Sequence, residues 1–267
     1  MEIGTGLYML GTAPLVNKLL GPTADYFGKE IESWTKRRVE NVKRVIDNAI
    51  NKVGKEIDED GQIPPRVFKG LMEEGSFCED VLSTEYFGGV LAYSRSQFKR
   101  NDLGATLISL LGRLSVYDLR THFLCYHLVK RLYEGKYFNF ADILHKDRAL
   151  TVYVPIEAYQ TAMAFEGGEK LKVYQILEHA MFGLDRENLI ELCAFGQRQH
   201  LSRFYYGDTS HPLGDGFVFK ATGYGVELFL AAYGRHDVTI HDFLLPNCRF
   251  PLVNGIVIPD GALRIGG

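Results

Sequence analysis

From Thr23 onward, apolar side chains recur at Ala24, Phe27, Ile31, Trp34, Val39, Val42, Ile46, Ala49 and Val53. Steps of three and four dominate, the period that lays one face of an α-helix on a core. Pro22 stands where a first-turn proline is tolerated. Gly54 and the acidic run 58–60 end the pattern. The spacing predicts a helix over 23–53, continuous or as two in line.

The same period continues. Val67 to Glu74 reads as a helix stopped by Gly75. Ser76 with Glu79 three residues on predicts a capping box, opening a helix through "VLSTEYFGGVLAYSRS". Gly88-Gly89 is costly inside a helix and marks a close crossing or a bend. Asn101-Asp102 is expected to cap "LGATLISLLGRL". Ser115 with Asp118 predicts a second capping box, before "VYDLRTHFLCYHLVKRLYEG", and Gly135 closes that helix. Residues 23–148 therefore read as a helical bundle.

The pattern changes afterwards. "GEKLKVYQILEHAMFGL" reads as a helix, and "DRENLIELCAFG" as another with Asp185 as N-cap. "RQHLSRFYYGD" and "GFVFKATG" are β-rich runs separated by the turn-forming "TSHPLGD". "GYGVELFLAAYG" returns to helix. Helix, helix, strand, turn, strand is the order of a winged helix, so residues 149–235 are expected to form a winged-helix-like module. Residues 236–267, apolar and broken by prolines, read as a C-terminal extended or β arm. The fold class expected is mainly α with a smaller α+β part.

Residues 1–22 are apolar but interrupted by Gly4, Gly6, Gly11, Pro14 and Lys18. A strand or turn against the body is expected there, with peripheral contact to a membrane or partner as the alternative. The segment has no basic stretch of the kind that opens a secretory signal. Cys78, Cys125, Cys193 and Cys248 are scattered and form no Cys-x-x-Cys pair. Reduced structural thiols and a cytoplasmic location follow as expectations. Net charge is −3 over 267 residues, so nucleic-acid binding would need a local basic patch.

Candidate chemistry is sparse. Gly21 and Gly28-Lys29 echo a phosphate loop, but six residues separate the glycines and Glu30 follows the lysine. A carboxylate there repels phosphate and supplies no hydroxyl for magnesium. Lys36, Arg37, Arg38, Lys43 and Arg44 are interleaved with acids, and Glu32–Lys36, Glu40–Arg44 and Lys43–Asp47 stand at i,i+4. That is a solvated helix face, with Arg37 and Arg38 as candidates for partner contact. His122 and His127 lie five apart, where two rings on a helix diverge, whereas helical zinc pairs use four. His236 and His241 lie beside Asp237 and Asp242, a possible base-and-orienter arrangement, with no nucleophile motif to serve. No catalytic set, metal site or cofactor is expected.

Within the expected winged helix, the reading helix carries Asp185, Glu187 and Glu191 against Arg186. Phosphate would repel it. The next segment is more suitable, with Arg198, His200 and Arg203 beside Tyr205 and Tyr206. Protein contact is favoured there over nucleic acid.

Four segments carry a resemblance: Leu19–Ala49, Leu71–Ser94, Leu107–Tyr126 and Phe217–Gly234. Gly-Pro and Gly precede a long helix with Arg and Asn. Acidic residues precede a helix ending in Leu-Ala. A Leu-Ser-x-x-Asp segment follows, and a Thr-x-x-Gly helix closes. In this order they resemble the bacterial abortive-infection alpha family. Tyr86-Phe87 stand where that family often has tryptophan, and residues after Gly234 fall outside the likeness. The resemblance implies a cytoplasmic, α-rich protein of defence against bacteriophage and carries no catalytic residues. It implies a protein partner or phage component, with self-association possible. A winged-helix DNA-binding regulator is the alternative.

Overall fold

A computed structural model of the chain describes residues 15, 18, 36–98, 102–140, 150–201 and 214–265. It is mainly helical with one small antiparallel sheet. The contacts divide it into two units, 1–114 with 230–237, and 115–229 with 238–267.

The first unit contains α1 (Lys36–Val53), α2 (Pro65–Glu74), α3 (Val81–Tyr93) and α4 (Leu103–Leu111). On α1 the stripe Val39, Val42, Val45, Ile46 and Ala49 is buried, as the period predicts. Residues 19–35, including Trp34, lie outside the described residues. Leu15 and Lys18 are helical, whereas a strand or turn was expected there.

The cap of α3 is a correction. Ser76 and Glu79 form no capping box. Asp80 is the N-cap, its carboxylate accepting from the Ser83 amide at 2.9 Å. Ser76 lies in a 3-10 turn, Gly75–Phe77, and is fully buried. Asp102 precedes α4 but makes no side-chain cap, and it accepts instead from Arg66 at 3.1 Å. Asn101 lies outside the described residues.

Gly88 and Gly89 lie inside a continuous α3, and they mark close crossings. A Cβ on Gly88 would stand 2.6 Å from the Asn48 Cβ of α1. A Cβ on Gly89 would stand 1.9 Å from the Ala232 carbonyl oxygen, which belongs to the 230–237 segment of the same unit. Both substitutions would overlap atoms, one of them rigid backbone, so only glycine permits this approach.

The second unit contains α5 (Val116–Tyr133), β1 (Thr151–Pro155), α6 (Ile156–Met163), α7 (Val173–Arg186) and β2 (Ile190–Gly196). It continues with α8 (Arg198–Leu201), β3 (Gly216–Ala221), most of α9 (Gly223–Ala232) and β4 (Leu263–Arg264). Ser115 and Asp118 form the expected capping box of α5. Gly135 follows the helix with φ +75°, the left-handed residue that ends it. Leu119, His122, Phe123, Tyr126 and Leu128 are all buried, so α5 is covered all round, as a central helix is.

The sheet order is β2-β3-β1-β4, with every described pairing antiparallel. Val152 opposes Phe219 and Val154 opposes Phe217 on one face. There the Tyr159 ring of α6 meets Phe217 edge-on at 5.6 Å. The other face gathers Tyr153, Ala194, Val218 and Ile265 with Leu201 of α8. The tail contributes β4, whose Leu263 opposes Tyr153.

The expected winged-helix order does not hold. "DRENLIELCAFG" is not a second helix. α7 runs to Arg186, Asn188 takes the left-handed conformation at φ +57°, and Ile190–Gly196 is strand β2. The Leu189 amide donates to the Leu184 carbonyl and the Asn188 amide to Asp185, the bonds of a Schellman end. Asp185 caps no helix start; its carboxylate accepts from the Leu192 amide at 3.0 Å. The β run expected from residue 198 begins as the short helix α8. Residues 202–213 lie outside the described residues. Strand β3 and helix α9 stand where they were expected.

Candidate functional site

Arg37 and Arg38 start α1, and α1 presents them differently. Arg37 points outward and pairs with Glu79. Arg38 reaches the Ser76 hydroxyl with Nε and Nη2, at 3.1 and 3.0 Å, and its guanidinium lies 4.6 Å from the centre of the Phe77 ring. Three residues on, the Asn41 amide donates to the Ser76 carbonyl at 2.9 Å. One helix turn thus holds the Ser76 turn through side chain and backbone. Phe77, fixed by this grip, is 68% exposed, and Val81 at the start of α3 is 56% exposed.

The rest of the basic run behaves as a solvated face. Lys36 pairs with Glu40 at 3.8 Å, and Arg44 donates to Asn41 and to the Glu79 carbonyl. Arg198 and His200 lie on α8 of the second unit. The Arg198 amide donates to the Asp215 carboxylate at 3.0 Å, and the His200 amide to the Gln197 carbonyl. Arg203, Tyr205 and Tyr206 lie outside the described residues, so the structure brings together only Arg198 and His200 of that set.

The histidine pairs separate clearly. His122 and His127 are buried in the second unit. Burial pushes the His122 imidazole down to about 3 and the His127 imidazole to about 4. His236 and His241 do not form the arrangement read from their neighbours. Arg235 holds the Asp237 carboxylate with two bonds of 2.7 and 2.9 Å, and Asp242 accepts from the Thr239 hydroxyl. His236 Nε2 instead lies 3.4 Å from Glu56.

That pair belongs to a cleft in the first unit that the sequence reading missed. The cleft encloses about 220 Å³. Its walls come from the end of α1 and the following 3-10 turn, Gly54–Asp58, from the end of α3, and from Gly234 and His236. Arg95 braces the turn, donating from Nη1 to the Glu56 carbonyl at 3.0 Å and from Nη2 to the carbonyls of Ile57 and Glu59. Lys52 is held by Glu85. Gln62 and Ser96 exchange backbone bonds of 3.0 Å beside it.

Cys125 and Cys248 are buried free thiols, and Cys78 is a half-buried one. Burial, reinforced by Asp80 and Glu74, pushes the Cys78 thiol up to about 11, which leaves it protonated and a poor nucleophile. No cluster of three or more His, Cys, Asp or Glu side chains fit for a metal occurs among the described residues. No described helix is long and apolar enough to cross a membrane. Comparison with protein-family models, with curated proteins and with solved structures returns no match.

Proposed function

We propose that this chain serves anti-phage defence by abortive infection and acts by binding a host or phage protein. The observation that carries the reading is the exposed Phe77 ring, which the Arg38 guanidinium approaches to 4.6 Å of its centre, with the exposed Val81 four residues on. The two apolar side chains are 68% and 56% exposed. Exposed aromatics next to arginine are typical anchors of protein interfaces. The turn that presents Phe77 is held by Arg38 and Asn41 of the segment that resembles the abortive-infection alpha family. Other residues of that likeness also have fold roles. Ser115 and Asp118 cap α5. The Thr222 hydroxyl accepts from the Gly225 amide at 3.0 Å at the start of α9. The likeness therefore falls on residues that shape the two units, and the contact surface lies beside one of them.

The DNA-binding alternative relied on a wing strand carrying Arg198, His200 and Arg203; residues 198–201 instead form the short helix α8, and Arg203 lies outside the described residues.

The test is phage plating on a sensitive host expressing the chain, its Phe77→Asp variant and its Val81→Asp variant. Reduced plating by at least one phage of a broad panel is expected, restored toward normal in both variants while the protein level holds. Unchanged plating across the panel with the wild-type chain overturns the proposal.

A further inference from the structure

The C-terminal arm is pinned on both sides of a turn that stands in water. Before the turn, the Phe250 ring packs on Phe229 and Phe243 of the second unit, with ring centres 5.2 and 5.7 Å away. After it, Arg131 of α5 donates to the carbonyls of Ile258 and Pro259, at 3.3 and 2.7 Å, and to the Asp260 carboxylate at 3.1 Å. Between them the Ile256 amide donates to the Val253 carbonyl at 3.1 Å and closes the turn. Gly255 holds its third position at φ +83°, as a type II turn requires. Asn254 and Gly255 are both exposed, and a Cβ on Gly255 would meet nothing within 4 Å.

An asparagine side-chain carbonyl can be attacked by the backbone nitrogen of the next residue, closing a five-membered ring. The attack needs that nitrogen free of a hydrogen bond, unscreened by a side chain, and carried on backbone that can turn. Glycine supplies the last two. Asn254 is the one asparagine of the chain that precedes a glycine. The amides after Asn41, Asn48 and Asn51 lie inside α1, where helix bonds hold them. The Leu189 amide after Asn188 donates to Leu184 at 2.8 Å, and the Cys248 amide after Asn247 donates to Leu245 at 3.0 Å. The Gly255 amide has no acceptor among the described residues.

We infer that Asn254 is a site of spontaneous deamidation. The Gly255 nitrogen gives its proton to a solvent base and bonds to Cγ of Asn254. The Cγ–Nδ2 bond breaks, and ammonia leaves with a proton taken back from solvent. One water molecule then opens the succinimide ring. Opening at the side-chain carbonyl gives aspartate. Opening at the backbone carbonyl gives isoaspartate, in which the chain runs through Cβ and Cγ. One water is consumed for each ammonia released, and nothing is oxidised or reduced. The product is one charge more negative than the −3 of the original chain, and isoaspartate adds a backbone atom to a turn whose flanks are pinned. The site is independent of the Phe77 surface, and its failure leaves the defence proposal standing.

The experiment holds the folded full chain in warm, mildly alkaline buffer and digests samples with trypsin over time. Cleavage after Arg249 and Arg264 releases a peptide in which Asn254 is the only carboxamide side chain. Fragmentation mass spectrometry should find a gain of about one dalton at residue 254, as aspartate and isoaspartate with the latter in excess. Conversion should be about tenfold or more faster than at any other asparagine. Gly255→Ala, which screens the nitrogen, should slow it about tenfold or more. Asn254→Gln, which needs a six-membered ring, should slow it as much, and thermal unfolding checks that both variants keep the fold. The same peptide, synthesised free, serves as the clock. Asn254 intact in the folded chain when the free peptide has fully converted, an unchanged rate in Gly255→Ala, or aspartate without isoaspartate, the mark of direct amide hydrolysis, overturns the proposal.

Discussion

The His122 ring nitrogen Nε2 lies 3.1 Å from the carbonyl oxygen of Gly225. A carbonyl only accepts, so Nε2 carries the proton and Nδ1 does not. The contact fixes a neutral tautomer in the core of the second unit, where the Tyr126 ring lies 4.5 Å from the imidazole, tilted by 36°. Gly225 makes the approach possible, because a Cβ there would stand 1.9 Å from the Tyr126 hydroxyl.

Acid lability follows. Burial lowers the His122 pKa to about 3 and that of His127 to about 4, against an unfolded value of 6.5. Between those values the unfolded chain binds more protons than the folded one, so stability falls as pH falls. The contribution is complete above pH 6.5 and is lost as pH drops toward 4 and below. A shift of this size corresponds to a few kcal/mol, roughly. Urea midpoints measured from pH 7.5 to 4.5 should decline, and the slope should flatten in His127→Phe. Midpoints equal in the two proteins at every pH would contradict the assignment.

Gly89→Ala reverses an ordinary rule. In an exposed helix interior alanine is better than glycine by about 1 kcal/mol. In α3 the new methyl would overlap the Ala232 carbonyl at 1.9 Å, and backbone there cannot turn aside as a side chain would. A loss of about 3 kcal/mol is expected. Gly168→Ala, where nothing lies within 4 Å, is the control and should stay near neutral. Chemical denaturation of both variants measures the difference.

Asp80, not Ser76, ends the free amides of α3. Asp80→Ala removes the acceptor of the Ser83 amide and should cost about 1 kcal/mol. Glu79→Ala removes an exposed ion pair with Arg37 and should cost a few tenths at most. Thermal melts of the two variants distinguish the caps. Equal losses would contradict the assignment.

Local signals in the sequence account for what could be read from it. The α1 stripe is written in steps of three and four, and the Ser115–Asp118 box is complete within four residues. The mistaken cap at Ser76 matches the same motif, but a tertiary demand decides there, since Arg38 and Asn41 claim the Ser76 hydroxyl and carbonyl. Strand β2 was missed because the end of α7 is written by Asn188. That residue tolerates the left-handed conformation and leaves no glycine or proline to signal a stop. Leu189, Ile190 and Leu192 then fit a helical stripe as well as a strand. The cleft draws its walls from residues 52–60, 92–98 and 234–236. Each stretch is ordinary alone, and only the packing of α1, α3 and the segment after α9 joins them.

Arg38 is the residue on which fold and proposed function meet. Its guanidinium gives two bonds to the Ser76 hydroxyl and lies over the Phe77 ring, so it orders the turn that presents that ring. Arg38→Ala leaves the buried Ser76 hydroxyl without these donors, at a cost of about 1 to 2 kcal/mol. Arg38→Lys keeps the charge and loses the fork that spans one oxygen with two donors, so it should recover less than half of the loss. Phe77→Asp, by contrast, alters an exposed ring and should leave stability within about 0.5 kcal/mol. Denaturation and phage plating together separate the two roles. Arg38→Ala should lose stability and reduce protection together, while Phe77→Asp should lose protection alone. Full protection by Phe77→Asp at normal stability would remove the Phe77 surface from the defence mechanism and leave Arg38 as a residue of the fold.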